Sequence, residues 1–303
     1  MIDEKIIIDG IEFEHPIMNA SGCLSITKSD LQSILDSKSS AVVSKSCTYT
    51  YNCGNSKPRY YQTENMSLHS NGMSNHGYDY YNEIGNHIKK TKPFFLSVGG
   101  IERGENLQIM GKLTEGRPWK SKCNATFIEL NLCTPKKNGK SQIGYDVDEI
   151  SRTLRYVFEY NTSKERIGVK LPPYIDHEQM DHVADVLSEF PISFITCVNS
   201  LYNGYMILDN YESVILPKSG YGNLGGELLK PIGLANVKKF HELLPSMPII
   251  GCGGIKTGRD VCEYLYCGAT LVQVGTQLMR EGPTIFDRLV KEYEIEKKNF
   301  YFK

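Results

Sequence analysis

Long hydrophobic runs are missing from this 303-residue chain, and no apolar stretch approaches the roughly 18 residues of a membrane span. A net charge is missing too. With 34 basic and 35 acidic side chains the formal charge is -1, so there is no broad cationic field for nucleic acid or anionic lipid. The nine cysteines (Cys23, Cys47, Cys53, Cys123, Cys133, Cys197, Cys252, Cys262 and Cys267) are odd in number and contain no C-x-x-C pair. That argues against a disulfide framework or a zinc site and for reduced thiols, so no metal is expected and a cytoplasmic location is. The start, MIDEKIIIDG, has neither a basic segment nor a long apolar one, so a signal peptide is not expected. Apolar residues at 40%, with 27 glycines besides, put the chain among folded globular proteins and exclude disorder and collagen-like or coiled-coil architectures.

What is there alternates. Short apolar runs rich in β-formers recur at Pro16–Ala20, Ala41–Ser46, Pro93–Val98, Thr126–Asn131, Ile167–Leu171, Ser193–Val198, Pro248–Cys252 and Thr270–Gly275. They are apolar on both alternating faces, as strands covered on both sides must be. Between them lie helical patterns near Lys28–Ser37, Tyr78–Lys90, Asn106–Leu113, Val147–Tyr160, His177–Glu189, Ile232–Leu244, Gly258–Tyr266 and Thr284–Glu294. Thr27 and Asp146 are placed as N-caps, and Pro231 and Pro283 sit near helix starts. Eight strand-then-helix repeats predict a closed (β/α)8 TIM barrel, one domain over residues 1–303, with an open doubly wound sheet as the competitor. Two connections, Cys47–Gly77 and Leu201–Lys230, are long enough to be binding loops or lids over the C-terminal face. Within the second, Tyr205–Leu208 and Ser213–Leu216 could pair as a hairpin.

Polar groups and glycines follow nearly every strand, and in a barrel they converge on one face. Gly251–Gly258 and Gln273–Gln277 follow strands seven and eight, the recurrent phosphate position of this architecture, and Gly225-Gly226 could add another close backbone approach. No Walker loop is present, and no G-x-G-x-x-G follows an early strand. Lys45 and Lys170 end apolar strands and could stabilise an anionic ring, with Asn131 and Asn199 as amides for a heterocycle edge. A phosphate anchor, lysines and amides together point to flavin mononucleotide (FMN).

At this point the sequence resembles a known family, the dihydroorotate dehydrogenases of the soluble class 1A type. The residues that carry the resemblance are Met18-Asn-Ala-Ser-Gly22, Ser44-Lys-Ser-Cys-Thr48 with Gly54-Asn and Pro58-Arg-Tyr60, Gly77-Tyr-Asp-Tyr-Tyr81, Glu129-Leu-Asn-Leu132, Gly168-Val-Lys-Leu-Pro-Pro-Tyr174, Val198-Asn-Ser200, Gly251–Gly258 and Cys267-Gly-Ala-Thr270. They span nearly the whole chain in order. The resemblance implies an FMN-containing barrel, usually a homodimer, that oxidises dihydroorotate to orotate in pyrimidine synthesis, with fumarate as acceptor. It implies FMN contacts from Ala20, Ser21, Lys45, Ser46, Asn131, Lys170, Val198, Gly225, Gly226, Gly253, Gly254, Gly275 and Thr276. It places Lys45, Gly72, Asn131, Asn199 and Ser200 at the substrate. It also implies no membrane-association helix of the kind the quinone-using class carries.

Departures gather in the pocket over the flavin. The family loop N-L-S-C-P-N, whose cysteine is the base, reads here Asn131-Leu-Cys-Thr-Pro-Lys136. Thr134 takes the base position, Cys133 stands one residue earlier, and Lys136 and His69 replace two substrate-binding asparagines. A hydroxyl is a far weaker base than a thiol unless a neighbour takes its proton, but the membrane-associated class resembles this one and uses serine there. Catalytic candidates are therefore Thr134, Cys133 and Lys45. His69 and Lys136 beside Lys45 would make the pocket more positive. Three readings follow: a dihydroorotate dehydrogenase, an FMN enzyme for a more anionic cyclic acid, and a flavin-binding relative with weakened catalysis.

Overall fold

A computed structural model of the chain describes residues 5–100, 104–105, 108–109, 111, 123–134, 142–159 and 165–300. An antiparallel hairpin, β1 (Ile6–Ile8) and β2 (Ile11–Phe13), leads into β3 (Ile17–Asn19), which α1 (Lys28–Leu35) connects to β4 (Val42–Val43). The long loop that follows carries β5 (Tyr60–Gln62) and β6 (Met66–His69) before α2 (Tyr78–Ile88) and β7 (Phe94–Val98). Next come β8 (Phe127–Asn131), α3 (Val147–Glu159), β9 (Ile167–Leu171), α4 (His177–Ser188) and β10 (Ile195–Cys197). The second long loop holds β11 (Leu201–Gly204) and β12 (Gly222–Gly226). The last elements are α5 (Lys230–Leu243), β13 (Ile249–Cys252), α6 (Gly258–Tyr266), β14 (Leu271–Val274), α7 (Thr276–Glu281) and α8 (Ile285–Phe300).

Eight strands pair in the order β3-β14-β13-β10-β9-β8-β7-β4, every neighbouring pair parallel. The competing open sheet fails at the seam between β3 and β4. There the Asn19 side chain takes over a strand's work: its Oδ1 accepts from Val43 N and its Nδ2 donates to Val43 O, each at 2.8 Å. Asn19 is fully buried and joins the ends of the sheet into a barrel.

The helices start where their caps stand. Thr27 and Asp30 form a reciprocal capping box on α1, Thr257 and Asp260 form another on α6, and the Asp146 carboxylate accepts from Glu149 N at 3.0 Å. On α3 the buried residues Ile150, Thr153, Leu154 and Val157 follow the spacing of one helical face, which packs against the sheet. The pattern expected at Asn106–Leu113 lies largely outside the described residues.

Period-two alternation stacks the barrel interior in layers. The lowest layer is apolar: Met18, Val43, Phe95, Phe127, Phe194, Ile250 and Leu271 are buried together, and Phe13 of β2 plugs the bottom, its ring 6.2 Å from that of Phe127. Gly168 belongs to this layer because the Phe194 ring occupies the space of its missing side chain. Two residues further along the strands come Ser97, Glu129, Lys170, Thr196 and Gln273, a buried polar layer. Above that the barrel opens.

The two long loops are not free lids. Their strands form one antiparallel sheet over the mouth, in the order β11-β12-β6-β5, with Asn223 opposite His69 and Tyr60 opposite His69 on the other side. The hairpin expected from Tyr205–Leu208 and Ser213–Leu216 reduces to a single bridge, Ile207 to Ser213, with Leu208 N donating to Glu212 O at 2.8 Å. The more extensive pairing joins the two loops to each other, 130 or more residues apart in sequence, where local pattern carries no signal.

Candidate active site

At the carboxyl ends of the barrel strands, beneath the four-stranded sheet, lies a cavity of about 640 Å³, inside the about 300–1,000 Å³ range of cofactor and small-molecule sites. Ala20, Ser21, Lys45, Ser46, His69, Gly72, Asn131, Cys133, Lys170, Val198, Asn199, Ser200, Gly225, Gly226, Gly253, Gly254, Gly275 and Thr276 line it. These positions come from nearly every strand end and from both long loops.

The floor is cationic. Lys45 lies along Gly22 and has no carboxylate partner among the described residues. Burial, with repulsion from Lys170 and Arg59, brings its pKa down to about 8. Lys170 is 4% exposed; its Nζ donates to Gln273 Oε1 at 2.6 Å and stands 3.9 Å from Glu129 Oε1. Burial works against this ammonium, but Cys252 and Glu129 nearby hold its pKa above the ordinary lysine value. One wall is a run of hydroxyls and amides. Ser46 Oγ contacts Ser21 Oγ at 3.2 Å and Ser97 Oγ at 2.9 Å and accepts from Asn131 Nδ2 at 3.2 Å. Asn199 Nδ2 donates to Asn131 Oδ1 at 3.3 Å.

At the far end the cations are already matched. Lys230 pairs with Asp260 and, at 2.8 Å, with Glu263, and Lys256 pairs with Glu227 at 3.3 Å. Recognition there falls to main chain. Gly254 has φ +69°, and a Cβ on it would come within 2.9 Å of Gly226 O, so only glycine keeps that turn open. Tyr264 OH donates to Gly253 O at 2.7 Å, and Ser67 Oγ contacts Thr276 Oγ1 at 3.0 Å, tying the loops after β13 and β14 to the scaffold and to β6. Gly226 lines the cavity, but its own requirement is structural: with φ +97° it passes so close to β6 that a Cβ would sit 2.7 Å from Asn65 O. Two cationic side chains at one end and a glycine-lined bay of main chain at the other fit an elongated ligand with an anionic ring and a phosphate tail.

The family model described as dihydroorotate dehydrogenase matches residues 4–296. The chain belongs to the dihydroorotate dehydrogenase family. It is 41% identical over 304 residues to dihydroorotate dehydrogenase A (fumarate) of Lactococcus lactis subsp. lactis, covering 98% of this chain and 95% of that one. It is 42% identical over 296 residues to dihydroorotate dehydrogenase (fumarate) of Lachancea kluyveri, covering 95% and 92%. Among solved structures it is similar in fold to the dihydroorotate dehydrogenase of Eimeria tenella in complex with ferulenol, with a TM-score of 0.80, 17% identity, and coverage of 97% and 85%. Members of this family are oxidoreductases, and this chain is one.

Against that family the departures now have places. His69 sits in the cavity wall, but burial first, and then Lys45, pull its pKa to about 4. It is a neutral imidazole at pH 7, so the extra positive charge expected from it is not there. Cys133 faces the cavity; its N–H donates to Asn131 Oδ1 at 3.0 Å and its Sγ donates to Lys170 O at 3.4 Å. Burial drives that thiol far above its ordinary pKa. Thr134, 2% exposed, lies behind the wall and donates from Oγ1 to Asn131 O at 3.3 Å. Its Oγ1 would be 2.9 Å from a Cβ on Gly99, so that glycine makes room for it. Lys136 lies outside the described residues.

Sequence reasoning gave Glu129 and Thr196 no role and placed Gln273 in the phosphate run after the last strand, whereas it lies within β14, buried below the cavity. Glu129 Oε2 accepts from Thr196 Oγ1 at 3.0 Å and from Gln273 Nε2 at 2.6 Å, all three side chains fully buried. The available signal was a carboxylate at the centre of the apolar run Phe127-Ile-Glu-Leu-Asn131, a place where an acid is seldom found without partners.

Proposed function

We propose that this protein is an FMN-dependent dihydroorotate dehydrogenase that oxidises dihydroorotate to orotate and passes the electrons to fumarate. The observation that carries the reading is the Lys45 ammonium, half-buried in the cavity with no carboxylate beside it among the described residues. A desolvated cation of this kind calls for an anionic occupant. The relatives' names, dihydroorotate dehydrogenase (fumarate), supply the identity of the reaction.

FMN, when bound, supplies the hydride acceptor. The protein's own residues do the rest. Main chain at Gly253, Gly254, Gly275 and Thr276 would hold the phosphate, and the Lys170 ammonium would meet the ring. Lys45 balances negative charge on the ring and substrate. Asn131, Asn199 and Ser200 orient the substrate, with His69 as a neutral partner in place of an amide. Thr134 stands at the base position of the loop, but its Oγ1 lies behind the wall and donates to Asn131 O, a carbonyl that cannot take up its proton; to serve as base it must turn into the cavity and pass its own proton to a further acceptor as it receives the substrate's. Cys133, a thiol held protonated by burial, packs the wall.

The reading of a more anionic substrate loses His69 as support and retains only Lys136. We further propose a cytoplasmic homodimer joined through the loop after β10. There Tyr202, Tyr205, Ile207, Leu208, Tyr211, Leu216 and Tyr221 are all more than 40% exposed, an apolar area in need of a partner. No helix among the described residues is long and apolar enough to cross a membrane.

FMN-loaded protein mixed anaerobically with dihydroorotate should lose its yellow colour and regain it on addition of fumarate. An unchanged spectrum across pH 6–9 rejects the proposal.

A further inference from the structure

Beneath the cavity floor the Gln273 amide is inserted between two opposite charges. Its Nε2 donates to Glu129 Oε2 at 2.6 Å, and this fixes which way the amide faces. The carbonyl end, Oε1, must then point at Lys170, whose Nζ donates to it at 2.6 Å. Thr196 Oγ1 holds the same carboxylate oxygen from a third strand at 3.0 Å. The other oxygen, Glu129 Oε1, is fully buried without a hydrogen-bond partner and stands 3.9 Å from the Lys170 ammonium. A buried carboxylate oxygen beside a lysine would ordinarily close to a direct, charge-assisted bond of about 2.7–2.9 Å. The gap persists because Gln273, joined to both groups, holds Lys170 at a distance.

We infer that Gln273 is a spacer: it keeps Lys170 from collapsing onto Glu129, so that the ammonium stays at the cavity floor and its charge remains available to an anionic ring. Glu129 is the matching counter-charge that limits how positive the floor becomes. Neither residue lines the cavity; both are positioning residues that act through Lys170. The inference rests on the flavin reading only for its second readout.

The spacer role separates from a merely structural one by sign. In Gln273→Met the amide is gone and the chain length is kept, so Lys170 moves down to pair directly with Glu129. In Glu129→Gln the hydrogen-bonding shape is kept and the negative charge is gone. The titratable groups facing Lys170 are Glu129, Cys23, Cys133, Cys197 and Cys252, with Lys45 across the floor, and only the first is altered.

The first measurement uses FMN-free protein carrying 15N-lysine and follows the Lys170 Nζ signal against pH. Deprotonation should move to higher pH in Gln273→Met and to lower pH in Glu129→Gln, by one unit or more each. The second uses FMN-loaded protein at pH 7 and reads the midpoint potential of the bound flavin. Gln273→Met should lower it and Glu129→Gln should raise it, each by a tenfold change in the reduction equilibrium, about 30 mV for a two-electron couple. The double variant should follow Glu129→Gln, because without the carboxylate Lys170 has nothing to close onto. If Gln273→Met does not fold, Gln273→Asn, too short to bridge the two groups, gives the same reading. Shifts of the same sign in both single variants, or no shift in either, overturn the spacer role. Failure to take up FMN would sink the functional proposal and leave the lysine titration as a complete test of this one.

Discussion

Replacing Lys45 with methionine should strengthen the ligand-free fold and weaken the working site. The wild-type side chain has a pKa of about 8 in the folded chain, against about 10.5 for a free lysine. At 1.36 kcal/mol per pH unit, holding the ammonium there costs about 3 kcal/mol at pH 7. The folded-state pKa lies below the unfolded one, so between pH 8 and 10.5 the unfolded chain binds more protons and wild-type stability climbs with pH. Below pH 8 the full penalty is present, and above 10.5 it is gone. Methionine has nearly the same length and no charge to desolvate. FMN-free Lys45→Met should therefore exceed the wild type by up to about 3 kcal/mol at pH 7. That margin should shrink to nothing near pH 10.5. Urea unfolding followed by circular dichroism at pH 7, 8.5 and 10 measures it. With an orotate-like anion in place the margin shrinks toward zero, because a charge-assisted bond worth about 1.5–3 kcal/mol is lost, and affinity should drop roughly ten- to hundredfold. A variant that is less stable than the wild type at pH 7, with a margin indifferent to pH, would refute the argument. Such a residue is kept for function against stability.

Thr134→Ala should slow flavin reduction by dihydroorotate at least about a hundredfold, as for a lost general base, while Cys133→Ser changes it little; stopped-flow absorbance decides, and the opposite pattern moves the base to Cys133. His69 has its folded pKa near 4, below its unfolded value, so stability falls as pH drops from about 6.5 toward 4. His69→Asn should resist acid unfolding at pH 4.5 better than the wild type. Gly254→Ala forces a side chain into φ +69° and against Gly226 O, costing about 1–3 kcal/mol; dialysis should strip FMN from it more readily. Leu216→Asp, at the centre of the exposed apolar loop, should yield monomers in sedimentation velocity if that loop is the dimer contact.

The barrel was legible because each of its units is local. Apolar runs of five or six residues, helical patterns with caps at Thr27 and Asp146, and glycines after the last two strands are each set by neighbours along the chain. The cavity wall was legible for the same reason: side chains at strand ends share one face once the strands are parallel. The sheet over the mouth was not, since β12 finds β6 across some 150 residues and neither run is strongly patterned. Nor was the fate of Asn19, which has the same sequence context as a ligand-facing amide and closes the barrel instead.

Charge divides the same way. Residue types and their spacing determined by themselves that two lysines, two amides and a glycine-rich bay would meet at one end of a barrel. Only the tertiary structure decided which of those groups bears charge. His69 is neutral because it is desolvated beside Lys45, Lys170 is held by a carboxylate forty-one residues away and a glutamine more than a hundred away, and Lys45 has no carboxylate partner among the described residues. Hydrophobic pattern is a property of neighbours along the chain; an electrostatic environment is the sum over everything packed around a group, and exists only after the chain has folded.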